Sequence, residues 1–460
     1  MRQPIPWGLI AALALASATP QAWADERAVE PNTLVPLGDP RHAASAFPDR
    51  IVAVPLQDGG RGFAVSWRTG PDVEAPVLEI APAQDSPDPW LGGLPPRRVV
   101  AGTRVAAGRH GTAHHHHARV DALEPGTLYA WRVQGAGTWS PWRQLRTAPP
   151  EGEPLELLYF GDTQNQNASL VTRVMHEALR HAPRAQLALF AGDLVSEAVD
   201  DDEWGEWFEA TAGLAPLMGF APAPGNHEFF KAFEDTPRER RVLGAPWQLH
   251  FALPGNGAEG HRASSYWFDY QQVRIAVLDG TSVLDLDTGP AQAAWLDAVL
   301  GDSPKRWHIV LVHQPFHSPR ADRDNQALRR HLQPVIERHG VDLVLQGHDP
   351  VYGRRSAAGR ATPVYVVSVA GPKQYRLSAQ ARGTMAPVGE DMQLFQVLRL
   401  DGGRLSYEAR TVTGQLYDAF DLVDGGAAGK RLVERTAGRL SERRCVRAAT
   451  LKGRSDRCWE

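Results

Sequence analysis

The chain has 460 residues, and its 49 Lys and Arg against 53 Asp and Glu give a formal net charge of −4. This near balance argues against a protein that coats nucleic acid or an anionic membrane. Hydrophobic residues make up 43% and charged residues 22%, which is typical of globular proteins and excludes disorder along the whole length. At about 100–200 residues per domain, the length predicts two or three domains.

Residues 1–24 are predicted to be a cleaved export signal. Arg2 precedes an apolar run over 7–18, which is followed by the small-x-small site Ala22-Trp23-Ala24. The alternative, a membrane anchor, needs about 18–20 uninterrupted apolar residues, and prolines crowd this run on both sides. We therefore expect a secreted or periplasmic protein with no membrane span after signal removal and an N-terminal extension over 25–49.

Residues 50–148 are predicted to form an all-β sandwich, because apolar and polar residues alternate along short segments separated by Gly and Pro turns. The block resembles a fibronectin type III-like domain, particularly at 124–129, Glu-Pro-Gly-Thr-Leu-Tyr. It contains four consecutive histidines at 114–117. We interpret these as a solvated strand or loop, since no Asp, Glu or Cys beside them completes a coordination shell.

After a proline-rich linker, residues 155–425 are predicted to form an α/β domain in which short apolar runs alternate with helical stretches. The chain becomes strand-rich again between 364 and 422, which predicts a second sheet. The predicted strands are 155–160, 187–190, 273–278, 309–312, 343–345, 364–367, 394–400 and 405–410, and the predicted helices are 170–180, 292–300 and 326–339.

Residues 426–460 form a basic tail that ends with the chain's two cysteines, Cys445 and Cys458. In an exported chain, two thiols at this spacing predict a disulfide that stabilises a small loop by about 3 kcal/mol. A zinc knuckle is disfavoured because no third or fourth ligand lies nearby.

Metal-ligand residue types follow five apolar runs of the α/β domain, usually beside glycine. The carboxyl ends of parallel strands line one edge of a sheet, so five distant segments are expected to converge there. Carboxylate, carboxamide and imidazole are ligands for divalent first-row metals, and the glycines let the backbone turn sharply. The segments are Gly161-Asp162, Gly192-Asp193, Gly225-Asn226-His227-Glu228, His313 and Gly347-His348.

This ordered set, GD, GD, GNH[DE], H and GH, resembles the signature of the calcineurin-like metallophosphoesterase superfamily over residues 155–422. The sandwich ahead of it is the arrangement of the purple acid phosphatase branch. The segment 368–373, Ser-Val-Ala-Gly-Pro-Lys, is similar to that of exported bacterial phosphoesterases. The resemblance implies a four-layer fold, two sheets flanked by helices, and a metal-dependent phosphoric ester hydrolase, either phosphatase or phosphodiesterase.

The resemblance also implies two divalent or trivalent metal ions, drawn from Fe, Mn, Zn or Mg, and a small phosphate ester as substrate. A metal-bound hydroxide would attack phosphorus. Asp193 would bridge the two ions, and Asn226, His313 and His348 would complete the second site. Asp162 and Asp193 would hold the first ion, with Gln164 or Asp349 as a further ligand.

The remaining roles implied by the resemblance concern the substrate. His227 is the expected acid for the leaving oxygen, or alternatively a hydrogen-bond partner of the ligands. Asn226, His317, Tyr352 and Arg354 are expected around the phosphate, with packing as the alternative for the last two.

Three residues depart from the family pattern, all on the first-metal side. Ser196 stands where the purple branch has Tyr, so no purple colour is expected. Pro350 replaces the second imidazole of GHxH, and Gln164 replaces a common His. The first site is therefore expected to be weak or empty and to favour hard ions. The alternative function is a catalytically weakened protein that binds a phosphorylated or glycan ligand through its sandwich.

Overall fold

The computed structural model describes residues 32–73, 75–87, 95–320, 323–356, 362–445, 449–451 and 454–457. The predicted signal over 1–24, the start of the predicted extension and Cys458 lie outside these residues. Cys445 is disulfide-bonded, and its pairing with Cys458 stays a prediction. Among the described residues, no helix combines the length and apolarity needed to cross a membrane.

Eight strands between residues 49 and 146 form two antiparallel four-stranded sheets that face each other. The strands are β1 (Asp49–Pro55), β2 (Phe63–Thr69), β3 (Val77–Pro82), β4 (Arg97–Val100), β5 (Gly102–Gly108), β6 (Gly111–Val120), β7 (Leu128–Val133) and β8 (Arg143–Arg146). Their orders are β1-β2-β6-β5 and β4-β3-β7-β8. Alternate residues of β2 and β7, among them Trp67 and Trp131, pack together in the core between the sheets. The expected all-β sandwich is confirmed.

The rest of the chain adds strands and helices in alternation. The strands are β9 (Leu155–Phe160), β10 (Leu187–Phe190), β11 (Gly219–Pro222), β12 (Phe229–Ala232), β13 (Arg240–Leu243), β14 (Tyr266–Tyr270), β15 (Val273–Leu278), β16 (Trp307–Val312), β17 (Leu343–Gln346), β18 (Tyr352–Ser356), β19 (Val364–Val367), β20 (Val388–Gly389), β21 (Leu394–Asp401), β22 (Arg404–Thr411), β23 (Leu416–Asp424), β24 (Lys430–Glu434), β25 (Ala449–Leu451) and β26 (Arg454–Arg457). The helices are α1 (Thr172–His181), α2 (Asp201–Ala210), α3 (Ala245–His250), α4 (Gly280–Asp285), α5 (Gly289–Gly301), α6 (Gln326–His331), α7 (Gln333–Arg338) and α8 (Ala379–Thr384).

Two seven-stranded sheets pack face to face at the centre of this α/β region. Sheet one has the order β11-β10-β9-β21-β22-β23-β24, and sheet two has the order β14-β15-β16-β17-β19-β18-β20. A core rich in Leu, Val and Tyr fills the space between them. Helices α1 and α2 cover the outer face of sheet one, and α4 to α7 cover that of sheet two. The expected four-layer architecture is confirmed.

Two details differ from the sequence expectation. The strands of 364–422 do not make one new sheet, because β19 joins sheet two while β21 runs antiparallel to β9 in sheet one. The helix expected over 326–339 is two helices, α6 and α7. Pro334 lies in the first turn of α7, where its missing N–H is tolerated, and this position ends the preceding helix.

The four histidines at 114–117 are buried or half-buried on β6, so their interpretation as a solvated segment is wrong. His114 and His116 contact residues of the sandwich, whereas His115 and His117 contact the α/β region. The ring nitrogens of His116 lie 2.8 Å from Thr69 Oγ1 and 2.9 Å from Thr103 Oγ1. His117 Nε2 lies 2.8 Å from the carbonyl oxygen of Leu249, and the ring of His115 packs on that of His250 with centroids 5.2 Å apart. This face of the sandwich is an interface.

Candidate metal centre

The loops after β10, β11, β16 and β17 bring four of the expected ligands together. His313 Nε2 lies 3.1 Å from Asp193 Oδ1, 3.2 Å from Asn226 Oδ1 and 3.1 Å from His348 Nδ1. Asp193 and Asn226 come from sheet one, whereas His313 and His348 come from sheet two. The cluster therefore spans facing edges of two sheets rather than one edge of a single sheet.

The hydrogen bonding of His313 fixes what the cluster can hold. His313 Nδ1–H donates to the carbonyl oxygen of Ala191 at 2.7 Å, which leaves Nε2 facing the cluster. Three further acceptor atoms, from Asp193, Asn226 and His348, surround this nitrogen. Burial lowers the pKa of His313, but the carboxylate of Asp193 outweighs it and raises the pKa to about 9, so Nε2 carries a proton at neutral pH when no cation is bound. A bound cation would displace that proton and take its place among the acceptors. Converging lone pairs of this kind fit a divalent cation.

Strained backbone positions the ligands at the strand ends. Asp162, Asp193 and His348 have positive φ angles of 37°, 50° and 70°. Such angles are uncommon outside glycine and recur at functional sites. The neighbouring positions require glycine because a side chain there would clash with a ligand carboxylate. A Cβ on Gly225 would lie 2.2 Å from Asp193 Oδ1, and one on Gly347 would lie 2.5 Å from Asp162 Oδ2.

Glu228 supports this geometry from behind, a role that the sequence analysis did not assign. Its buried carboxylate accepts hydrogen bonds from the backbone N–H groups of Asp193, Leu194 and Gly225 at 2.9, 2.8 and 2.6 Å. Burial and the nearby charge of Asp193 raise the pKa of Glu228 to about 7. The sequence feature that could have indicated this role is the position of Glu228 as the last residue of the motif Gly225-Asn226-His227-Glu228.

The first-metal side contains Asp162, Asp193 and Gln164. Among the described residues, neither carboxylate oxygen of Asp162 has a hydrogen-bond partner, although the residue is only 1% exposed. Burial raises its pKa well above the usual value, and the charge of Asp193 adds to the rise. Gln164 Nε2 donates to Asp193 Oδ2 at 2.9 Å, and its buried Oε1 has no partner in the described part of the chain. Unpartnered buried oxygens fit a cation on this side as well.

Asp349, the alternative first-metal ligand, is already engaged. Its carboxylate accepts from Ser318 Oγ at 2.6 Å and pairs with Arg323 Nη1 at 2.8 Å. Pro350 offers no side-chain donor in this buried position. Of the expected ligands within the described residues, two carboxylates and one carboxamide therefore remain on the first-metal side.

His227 lies beside the cluster with one face open. Its Nδ1–H donates to the carbonyl oxygen of Ser196 at 2.6 Å, and its backbone N–H donates to Asp193 Oδ1 at 3.0 Å. These contacts fix the ring so that Nε2 lies 3.9 Å from Asp193 Oδ2, while 29% of the side chain is exposed. Nε2 of His227 thus lies beside the cluster on a side chain that solvent can reach.

Three residues expected around the phosphate have other partners. Tyr352 is fully buried between the sheets, and its hydroxyl donates to Asp418 Oδ2 at 2.7 Å. Arg354 forms ion pairs with Asp418 and Glu434, at 2.7 and 2.8 Å. His317 packs edge-on against Tyr365 with centroids 5.2 Å apart, and burial lowers its pKa to about 4. Packing, the alternative for Tyr352 and Arg354, accounts for both, because β18 points them into the inter-sheet core.

Two family models match this chain. Residues 155–352 match the family model of the calcineurin-like phosphoesterase, and residues 48–147 match that of the purple acid phosphatase N-terminal domain. The chain therefore contains a calcineurin-like phosphoesterase domain preceded by a purple acid phosphatase N-terminal domain, which confirms the family expected from the motifs. The finer likeness of the sandwich to fibronectin type III stays a prediction.

The curated relatives include purple acid phosphatases and an uncharacterized protein. An uncharacterized protein of Mycobacterium tuberculosis is 28% identical over 346 residues, which covers 65% of this chain and 61% of the relative. Fe(3+)-Zn(2+) purple acid phosphatase 12 of Arabidopsis thaliana is 24% identical over 325 residues, which covers 64% of this chain and 62% of the relative. The chain thus spans about three fifths of the length of these relatives.

Solved structures show the fold. A purple acid phosphatase from yellow lupin (Lupinus luteus) seeds superimposes with a TM-score of 0.68 at 18% identity, covering 82% of this chain and 74% of that one. The structure of PhoD superimposes with a TM-score of 0.57 at 13% identity, covering 86% of this chain and 94% of that one.

Proposed function

We propose that the protein is a metal-dependent phosphoric ester hydrolase of the acid phosphatase type. The observation that carries this proposal is the convergence of four lone-pair donors, from Asp193, Asn226, His313 and His348, on one point. Membership of the metallophosphoesterase family supports the same chemistry. The substrate is a phosphate ester small enough to reach His227 and the cluster.

The donor set indicates which residues would hold metal. Asp193, Asn226, His313 and His348 would hold one ion, and Asp162, Asp193 and Gln164 would hold the other, more weakly. The oxygen-only first side favours Mg²⁺ or Mn²⁺ over Zn²⁺. When bound, such ions activate water for attack on phosphorus and neutralise the phosphoryl oxygens.

The chain's own contribution to the reaction centres on His227. Because Nδ1–H is committed to the carbonyl oxygen of Ser196, Nε2 is the nitrogen that can exchange a proton with the substrate. Nε2 faces the cluster and solvent together, so it can deliver a proton to the leaving oxygen. Asn226, beside it, would orient the phosphoryl group through its carboxamide.

Substitution of Asp193 tests the proposal. The purified protein is assayed for metal content and for hydrolysis of 4-nitrophenyl phosphate with Mn²⁺ or Mg²⁺. Asp193→Asn is expected to lose bound metal and to lower kcat/KM about 10³-fold or more. Asp302→Asn, an exposed carboxylate after α5, is the matched control and should change neither quantity. Full turnover by Asp193→Asn or by metal-free protein would overturn the proposal.

The chemistry of the first-metal side favours a second candidate, a metallophosphoesterase-like binding protein with weakened catalysis. Pro350 supplies no ligand and Asp349 is paired with Arg323. On this alternative the wild type binds one ion per chain and hydrolyses no ester, and turnover appears only in Pro350→His. One elemental analysis together with the same assay distinguishes the two candidates.

We also propose that the protein acts in the periplasm or outside the cell. The motif ending at Ala24 supports this proposal. Sequencing the amino terminus of the protein recovered from the culture should give Asp25 as the first residue. A full-length chain retained in the cytoplasm would contradict it.

A further inference from the structure

A short segment, residues 371–375, crosses the first-metal side from one ligand loop to another. At one end, Gly371 N–H donates to the carbonyl oxygen of Asp162 at 2.8 Å. A Cβ on Gly371 would lie 2.5 Å from that oxygen and 2.7 Å from the carbonyl oxygen of Gln164, so only glycine fits. At the other end, Tyr375 N–H donates to the carbonyl oxygen of Pro350 at 2.9 Å.

The middle of the segment is held rigidly by Gln374. Its buried side chain donates to the carbonyl oxygens of Gly371 and Met392, at 3.3 and 3.0 Å, and accepts the backbone N–H of Met392 at 3.2 Å. The residue before it, Lys373, therefore has a defined position between the Asp162 loop and the Pro350 loop. This is the side on which the family's second imidazole is missing.

Lys373 is a half-buried cation with no ion-pair partner among the described residues. Its Nζ lies 5.7 Å from the centroid of the Tyr375 ring, and the guanidinium of Arg320 lies 4.3 Å from the same centroid. By contrast, Arg323, the neighbouring cation, is committed to Asp349. Lys373 is thus a charge at the rim of the centre that remains available to an anion.

The ammonium of Lys373 acts electrostatically on both sides of the centre. Burial raises the pKa of Asp162, and Lys373 opposes that rise. Burial and His313 lower the pKa of His348, and Lys373 adds to that decrease. These effects agree with the position given by the backbone contacts of Gly371 and Tyr375.

We propose that Lys373 binds a phosphoryl oxygen of the substrate on the first-metal side and makes the centre prefer phosphomonoesters to phosphodiesters. The proposal rests on the proposed function. A lysine ammonium binds phosphate as a point charge. A monoester carries up to two negative charges where a diester carries one, and the attraction of an added cation scales with the charge it meets.

Calorimetric titration of metal-loaded protein with inorganic phosphate tests the binding step without catalysis. Lys373→Met should bind phosphate about tenfold more weakly or worse, whereas Lys373→Arg should stay within about threefold of wild type. Lys305→Met is the matched control, because Lys305 lies before β16 at the far end of that strand and donates to the carbonyl oxygen of Gln271. Unchanged phosphate affinity in Lys373→Met, or loss of metal from it, overturns the proposal.

The preference for monoesters is tested with 4-nitrophenyl phosphate and bis(4-nitrophenyl) phosphate. The ratio of their kcat/KM values should fall about tenfold in Lys373→Met and change little in Lys305→Met. An unchanged ratio overturns the monoester preference. If wild type hydrolyses neither compound, the proposed function fails, and the calorimetric result still decides whether Lys373 binds phosphate.

Discussion

The carboxylate of Glu228 holds the backbone N–H of Asp193 at 2.9 Å, so the loop after β10 is tied directly to the loop after β11. Further bonds from the N–H groups of Leu194 and Gly225 go to the same carboxylate. Two neighbouring ligand residues, Asp193 and Asn226, therefore keep their relative positions before any cation binds.

Replacement of Glu228 by alanine should damage both stability and metal binding. The change leaves three backbone donors without their partner, and each buried unsatisfied donor costs about 1–3 kcal/mol. We expect Glu228→Ala to lower the free energy of unfolding by about 3 kcal/mol or more, measured by urea denaturation, and to weaken Mn²⁺ binding. Glu259→Ala, at an exposed glutamate, is the control. Equal unfolding curves for the two variants would contradict the supporting role.

Arg354 is expected to matter for folding and not for phosphate. Its guanidinium pairs with Asp418, which is fully buried, and with Glu434. Arg354→Met leaves the buried Asp418 carboxylate with Arg439 at 3.0 Å and the Tyr352 hydroxyl at 2.7 Å, so we expect a loss of stability below the about 3–5 kcal/mol of a fully broken buried pair. Urea denaturation should show this loss, while the phosphate affinity of the folded variant stays that of wild type. A loss of phosphate affinity without a loss of stability would contradict this prediction and indicate that Arg354 binds the substrate.

The placement of Arg354 also shows which features of the fold could be predicted from the sequence and which could not. The strands β9, β10, β15 and β19 begin and end at the predicted residues, because a short apolar run bounded by Gly, Asp or Pro is a local signal. The ligand residues after β9, β10, β16 and β17 could be predicted to converge because the carboxyl ends of parallel strands line one edge of a sheet. The direction of β18 could not, since it depends on Asp418, more than sixty residues away.

The histidines on β6 illustrate the same limit. The run of histidines is a local feature, but His115 and His117 are covered by α3, and His117 contacts Leu249 across 132 positions of sequence. A single sequence carries no sign of that contact. The sequence analysis also did not predict that the ligands are divided between two facing sheets. A motif at the end of a strand indicates that the residue lies at the edge of a sheet, but it does not show to which sheet the strand belongs.

Pro350→His should restore a ligand on the first-metal side. The backbone contact of this position, from Tyr375 N–H to the carbonyl oxygen of residue 350, does not depend on the proline ring. An imidazole added beside Asp162 and Gln164 gives the oxygen-only side a nitrogen donor, which favours Zn²⁺ or Mn²⁺. We expect elemental analysis to show a higher metal content per chain, and wild type treated identically is the control. An unchanged metal content would mean that the new side chain does not reach the site.

The interface between sandwich and α/β region should lose stability in acid. His115 lies among Arg50 of β1, Arg68 of β2, Asp201 of α2, His250 of α3 and its own neighbour His117. Burial, followed by the charges of the two arginines, lowers the pKa of His115 to about 3. The unfolded chain, with a histidine pKa of about 6.5, therefore binds more protons than the folded chain between these values.

The contribution of His115 to the free energy of unfolding is complete above pH 6.5. It decreases by about 1.4 kcal/mol per pH unit as the pH falls towards about 3. His115→Phe removes the titration, and the loss of free energy of unfolding between pH 6.5 and 4.5 should shrink by about 2–3 kcal/mol relative to wild type. Titrating groups that do not interact with His115 cancel in this difference. Denaturant curves at the two pH values measure it, with exposed His176→Asn as control. An identical loss in wild type and His115→Phe would show that His115 takes up its proton while the protein remains folded.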